Sequence, residues 1–188
     1  MILYHASSTK DIKYLEPRIS NHNTPLVYFS SRRENVLVYL SNSIEKFCKE
    51  NNFNYNGIYS KWGPYGFNKD GIMRIEEYYP NALYETYKGV SGYIYTVSDT
   101  KNTEKLNDIP FAYISKEKIK TDSIEYIKDA YQAIEEAVKQ GKIIVSKYED
   151  LSENKHKWIE ETIKEQYKET KDHPEYRYFL KNKFPFLT

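Results

Sequence analysis

Two short apolar runs near the start most constrain what this chain can fold into: Ile2-Leu3-Tyr4-His5-Ala6-Ser7 and Pro25-Leu26-Val27-Tyr28-Phe29-Ser30-Ser31. Each is too short for a helix, carries β-branched or aromatic residues, and is followed by small hydroxyl residues. Each therefore predicts a short buried strand, over 2–5 and 26–30. Between them, Pro17, Asn21, Asn23 and Pro25 predict a loop. Two strands joined this way would present their ends, and with them His5 and Tyr28, to one shared cleft.

The rest of the chain adds more strands, then helices. Ser31-Arg32-Arg33-Glu34 matches a capping box, and Leu37, Leu40, Ile44 and Phe47 recur at helical spacing. These predict one helix from Arg32 to Lys49, ended by Asn51-Asn52. The stretch 51–71 is rich in Asn, Gly and aromatics, and Trp62, Tyr65 and Phe67 are expected to cover the core. Further strands are predicted over 72–79, stopped by Pro80-Asn81, and over 92–97, 111–114 and 118–127, with a polar loop at 98–109. From Asp129 the character changes. Asp129 caps a helix closed by Gly141, residues 142–146 form a short strand, Ser152 caps a charged helix, and Pro174 opens a last one. Phe184-Pro185-Phe186-Leu187 is an apolar tail that must dock. Strands followed by helices give an α+β class. The expected organisation is an α+β core over 1–127 and a helical extension over 128–188 packed on it.

Composition narrows the function. Lys and Arg total 28 against 27 Asp and Glu, a net charge of +1, so nothing electrostatic makes nucleic acid the main partner. Local basic patches leave RNA open. Cys48 is the single cysteine and sits in an apolar helical pattern, which fits a buried thiol in a reducing cytosol. The opening residues do not resemble a secretory leader, and no apolar run approaches the ~20 residues that span a bilayer. The expectation is a cytoplasmic protein without a membrane partner. With 20 tyrosines in the chain, a single tyrosine is ordinarily core filler. Tyr28 gains weight only from its neighbours.

Those neighbours suggest a ligand. A histidine and a tyrosine held side by side by backbone suit a ribose and an aromatic ring, which makes NAD the first ligand to consider. Tyr4-His5-Ala6-Ser7, then Val27-Tyr28-Phe29-Ser30 followed at once by a helix, then Gly92-Tyr93-Ile94-Tyr95-Thr96-Val97, resemble the three core segments of the ADP-ribosyltransferase fold. The likeness is closest to the small bacterial rifampicin ADP-ribosyltransferases and is partly shared with RNA 2′-phosphotransferases. It covers about residues 1–127. It implies a split β-sheet with flanking helices that holds NAD in its cleft. His5 would hold a ribose hydroxyl, backbone at Ala6 the nicotinamide amide, and Tyr28 the nicotinamide ring, with Ser30 in support.

In that family a third motif supplies a carboxylate, which stabilises the oxocarbenium-like charge as the nicotinamide–ribose bond breaks. By position after 92–97 the candidates are Asp99 and Glu104; Glu76, Glu77 and Glu85 are weaker ones. The sequence departs from the family at Ala6, where glycine is common, and in the insertion over 51–91, which could form a lid. Three activities follow from the resemblance: transfer of ADP-ribose to an unknown small-molecule or protein acceptor, a non-catalytic binding module of the same fold, or an RNA 2′-phosphotransferase. The last needs arginines, and Arg32-Arg33 is the only adjacent pair. His22, His156 and His173 read as solvated, and no cluster has metal-ligand spacing.

Overall fold

The computed structural model describes residues 1–19, 24–57 and 64–187. Among the described residues there are eleven strands. They are β1 Leu3–Ser7, β2 Tyr14–Leu15, β3 Val27–Ser30, β4 Tyr65–Phe67, β5 Met73–Glu76, β6 Gly92–Val97, β7 Glu104–Lys105, β8 Ala112–Ser115, β9 Ile119–Lys120, β10 Ser123–Ile127 and β11 Ile143–Ser146. The α-helices are α1 Ser43–Glu50, α2 Ala82–Tyr87, α3 Ala130–Lys139, α4 Glu153–Glu169 and α5 Pro174–Lys183. The class is mixed α and β with antiparallel sheets, as the sequence implies.

The described residues group into two compact units that interleave along the chain. One holds 1–41, 67–73 and 87–144; the other holds 42–66, 74–86 and 145–188. The division therefore does not fall after residue 127. Residues 128–144 go with the strands, because Ala130, Ile134 and Ala137 of α3 are buried within that unit.

The first unit is built on a six-stranded sheet in the order β10-β6-β1-β3-β8-β7, and β2 pairs with β9 beside it. Leu3, Leu15, Val27, Phe29, Val97 and Ile119 form a core on one face. A 3₁₀ segment, Arg33–Leu40, lies against β1, β3 and β6. Gly92 makes this approach possible. A Cβ there would stand 2.6 Å from Leu40 Cδ2 and 3.1 Å from the Ser7 carbonyl oxygen.

The second unit packs Ile44, Phe47 and Cys48 of α1 with Ile159 and Ile163 of α4 and with Tyr176, Phe179 and Leu180 of α5. Phe184 and Leu187 of the tail are buried in the same cluster. Asn42 caps α1, accepting from the Ile44 and Glu45 amides at 3.0 and 3.4 Å. A three-stranded sheet takes the order β11-β5-β4.

Several local expectations change. The single helix from Arg32 to Lys49 is broken at Ser41, which is extended, and Asn42 starts a new one. Ser, Asn and Ser in succession offer the backbone cap bonds, and a cap ends one helix where it starts another. The Ser31 capping box does not form; Ser30 Oγ accepts from the Arg32 amide instead, at 3.1 Å. The strand expected over 118–127 is two strands that pair with different partners, β2 and β6. Tyr65 and Phe67 are half-buried on β4, while Trp62 and His22 lie outside the described residues.

Candidate functional site

The candidate site begins where the central sheet opens. All five residues of β1 pair with β6, and all four residues of β3 pair with β8. Between β1 and β3, however, the ladder is the single pair Tyr4↔Ser30. Beyond that pair the two strands part, and the imidazole of His5 enters the opening. His5 Nδ1 lies 2.8 Å from the Tyr28 carbonyl oxygen. A backbone carbonyl only accepts, so Nδ1 carries the proton and donates. The ring packs edge-on to Phe29 at 6.0 Å between centroids.

That bond fixes the chemistry of the other ring nitrogen. Burial, the largest influence, pushes the His5 pKa below the ordinary 6.5; the Tyr28 carbonyl opposes the shift and the Arg18 charge adds to it. The ring is therefore neutral at pH 7, with Nε2 a lone-pair acceptor. Among the described residues Nε2 makes no hydrogen bond. It is available to accept from a ligand hydroxyl.

The same edge of β3 continues to a cation. Arg18 and Leu26 exchange both backbone hydrogen bonds, at 3.2 and 3.1 Å. Along an antiparallel strand every second residue turns its N–H and C=O to the same side. Leu26, Tyr28 and Ser30 therefore present one edge, met in turn by Arg18, the His5 imidazole and Tyr4. The approach to Arg18 is pinned from the sheet. Tyr95, paired with His5, donates its hydroxyl to the Thr9 carbonyl at 2.7 Å and accepts from the Ile12 amide at 3.2 Å. Thr121 Oγ1 donates to the Ile12 carbonyl at 2.7 Å.

His5 and Tyr28 are thus adjacent, but not as two strand ends. Both lie inside their strands. The registers place Glu104, Ile114 and Tyr28 on one row and Ala6, Ile94 and Glu125 on another, and alternation from the Tyr4↔Ser30 pair turns both sets of side chains to one face. His5 belongs to the neighbouring row, whose side chains turn to the opposite face with Phe29, so the two rings do not face one shared cleft as the sequence implies; His5 meets Tyr28 only through the backbone carbonyl. Ala6 is buried against the 3₁₀ segment's face, and Ser30 is buried with its hydroxyl spent on the following turn.

The carboxylates sort by distance. Asp99 is exposed two residues beyond β6, four residues along from the partner of His5, and accepts from the Lys101 amide. Glu104 sits on the outermost strand, three strands from β1, and faces Lys116 at 3.9 Å. Glu76, Glu77 and Glu85 lie in the other unit. Glu125 on β10 is the acid the sequence reading passed over. It is two strand spacings from Ala6, about 10 Å. Pairing of 123–127 with 92–97 puts residue 125 level with residue 94 and hence with residue 6, a register that nothing in the sequence marks.

Glu125 is gripped by Arg33, whose Nε donates at 2.8 Å while Nη2 reaches the second oxygen. The hydrogen bond to Glu125 is the main reason the guanidinium pKa rises above its usual value. Arg32 is also engaged: it stacks on the Phe111 ring at 3.7 Å and donates to the Gly71 carbonyl at 3.2 Å. The adjacent arginines are therefore not a free phosphate clamp. His156 is half-buried with Nε2 2.9 Å from the Tyr148 carbonyl, a structural role. Among the described residues no three acidic, histidine or cysteine side chains are grouped to hold a metal, and no helix is long and apolar enough to cross a membrane.

No protein-family model matches the chain, and neither the curated proteins nor the solved structures contain a match to it.

Proposed function

We propose that this protein binds NAD at the opening between β1 and β3 and cleaves its nicotinamide–ribose bond, passing ADP-ribose to a small-molecule or protein acceptor. The observation that carries this reading is the His5 imidazole lodged between the two strands, its tautomer set by the Tyr28 carbonyl and its Nε2 open to a ribose hydroxyl. The parted strands are what the split sheet of the ADP-ribosyltransferase fold would require.

The carboxylate assigned to the reaction is Glu125, in place of Asp99 or Glu104. A carboxylate fixed by a bidentate arginine is a preorganised negative charge, and such a charge stabilises an oxocarbenium-like transition state without reorganising. Bond cleavage leaves the electron pair on nicotinamide, and the ribose carbon then takes the acceptor nucleophile.

Titration calorimetry with NAD, alongside an assay for released nicotinamide, tests both halves. The wild type is expected to bind and to release nicotinamide. His5→Ala is expected to weaken binding by about tenfold, the scale of one lost hydrogen bond. Glu125→Gln is expected to bind NAD nearly as well and to release nicotinamide at least a hundredfold more slowly. No heat with the wild type at millimolar NAD defeats the reading. Binding without release favours a non-catalytic module.

A further inference from the structure

The 3₁₀ segment Arg33–Leu40 is not the helix that its own residues encode. Runs of this kind longer than three or four residues are uncommon, and this one has eight. Ser31 and Glu34 have the spacing of a capping box, yet no side chain caps the segment. Glu34 instead accepts from Lys142 Nζ at 2.7 Å. Asn35 is 3% exposed, and neither the nitrogen nor the oxygen of its side-chain amide has a hydrogen-bond partner among the described residues. An amide buried in this way opposes the arrangement that buries it.

The two ends of the segment are held differently. Leu40 packs against Gly92, an apolar contact. The first residues are held by charged side chains: Arg33 on Glu125, Glu34 on Lys142, and Arg32 on the Gly71 carbonyl and the Phe111 ring. In each ion pair one partner is about half exposed, and such pairs are weak and screened by salt. A 3₁₀ helix turns about 120° and rises about 2.0 Å per residue, an α-helix about 100° and about 1.5 Å. With Leu40 seated, winding into an α-helix would draw Arg33, seven steps away, back by about 3.5 Å and turn it by about 140°. Arg33 would leave Glu125. Asn35, five steps away, would turn by about 100° out of its buried position.

We propose that Arg33–Leu40 is a two-state switch. It is 3₁₀ while Arg33 and Glu34 are latched to Glu125 and Lys142, and α-helical, with Ser31 and Glu34 closing their box, once the latches open. The switch decides whether Glu125 is held in place. It goes beyond the NAD reading and does not depend on it, since every group involved belongs to the protein itself.

NMR on the protein without nucleotide tests the switch. Contacts from an α proton to the amide two residues on mark a 3₁₀ turn, and contacts to the amide four residues on mark an α turn. The wild type at low salt should show the first kind over 33–40. Glu34→Gln removes the ion pair with Lys142 and keeps a residue that can close the box. In that variant the second kind should replace the first, most fully when sodium chloride at about 1 M cuts the screening length to about 3 Å. Lys142→Gln, which opens the same latch without touching the segment, should do likewise. Asn35→Leu removes the orphaned amide at similar volume. It should stay 3₁₀ at the same salt and melt roughly 2–8 °C above the wild type. Persistence of the 3₁₀ contacts at high salt in both latch variants overturns the switch. Asn35→Leu melting below the wild type also overturns it, since the amide would then be satisfied, as by an internal water. Both results leave the NAD reading untouched, and a wild type that binds no NAD leaves the switch untouched.

Discussion

At the scale of single residues, His5 couples stability to acidity. Its folded pKa lies below the ordinary 6.5, chiefly through burial. The unfolded chain therefore takes up a proton on this histidine before the folded protein does. The His5 contribution to stability is complete above about pH 6.5 and is lost as the pH falls from there towards the folded value. Thermal melts between pH 7.5 and 5.5 should show the wild type losing stability across that window, and His5→Gln losing less. Parallel curves for the two proteins would contradict the assignment. His5 and Tyr28 were legible in the sequence because each sits in a short apolar run where a ligand-capable side chain stands out. Their relation was not legible. Which part of Tyr28 His5 touches depends on a ladder that stops after one pair, and ladder length is a property of the sheet.

At the scale of elements, the strands over 3–7, 27–30 and 92–97 could be read from apolar, β-branched composition, and helix starts at Asp129, Ser152 and Pro174 from their capping residues. The helix expected over 32–49 failed because buried residues on every side of Val36, Leu37, Val38 and Leu40 satisfy a tight 3₁₀ segment between layers as well as an amphipathic helix. Glu125 went unrecognised for a related reason. Its strand is exposed on both faces, so its pattern marks an edge and gives no hint of what faces it. The packing of the 3₁₀ segment on β6 has a direct test. Gly92→Ala should cost about 1–3 kcal/mol by overpacking against Leu40 and the Ser7 carbonyl, lowering the melting temperature by roughly 3–10 °C. A variant as stable as the wild type would show that the segment gives way freely.

At the scale of the whole molecule, the division expected after residue 127 mistook order along the chain for order in space. Composition changes at Asp129, but α3 packs with the strands, and the segments 42–66 and 74–86 belong with the late helices. A chain ending at 127 would lack Ala130 and Ile134, both fully buried, along with the elements that complete the cluster around Ile44 and Phe47. Residues 1–127 expressed alone should therefore be insoluble or lack a cooperative melt, and a cooperative transition from that fragment would count against the interleaved division. The imidazole between β1 and β3 has a last consequence. A spacer of this kind keeps the groove from zipping shut when nothing occupies it, so the energy of prising two ribbons apart is met once, during folding, and is not charged to each arriving guest.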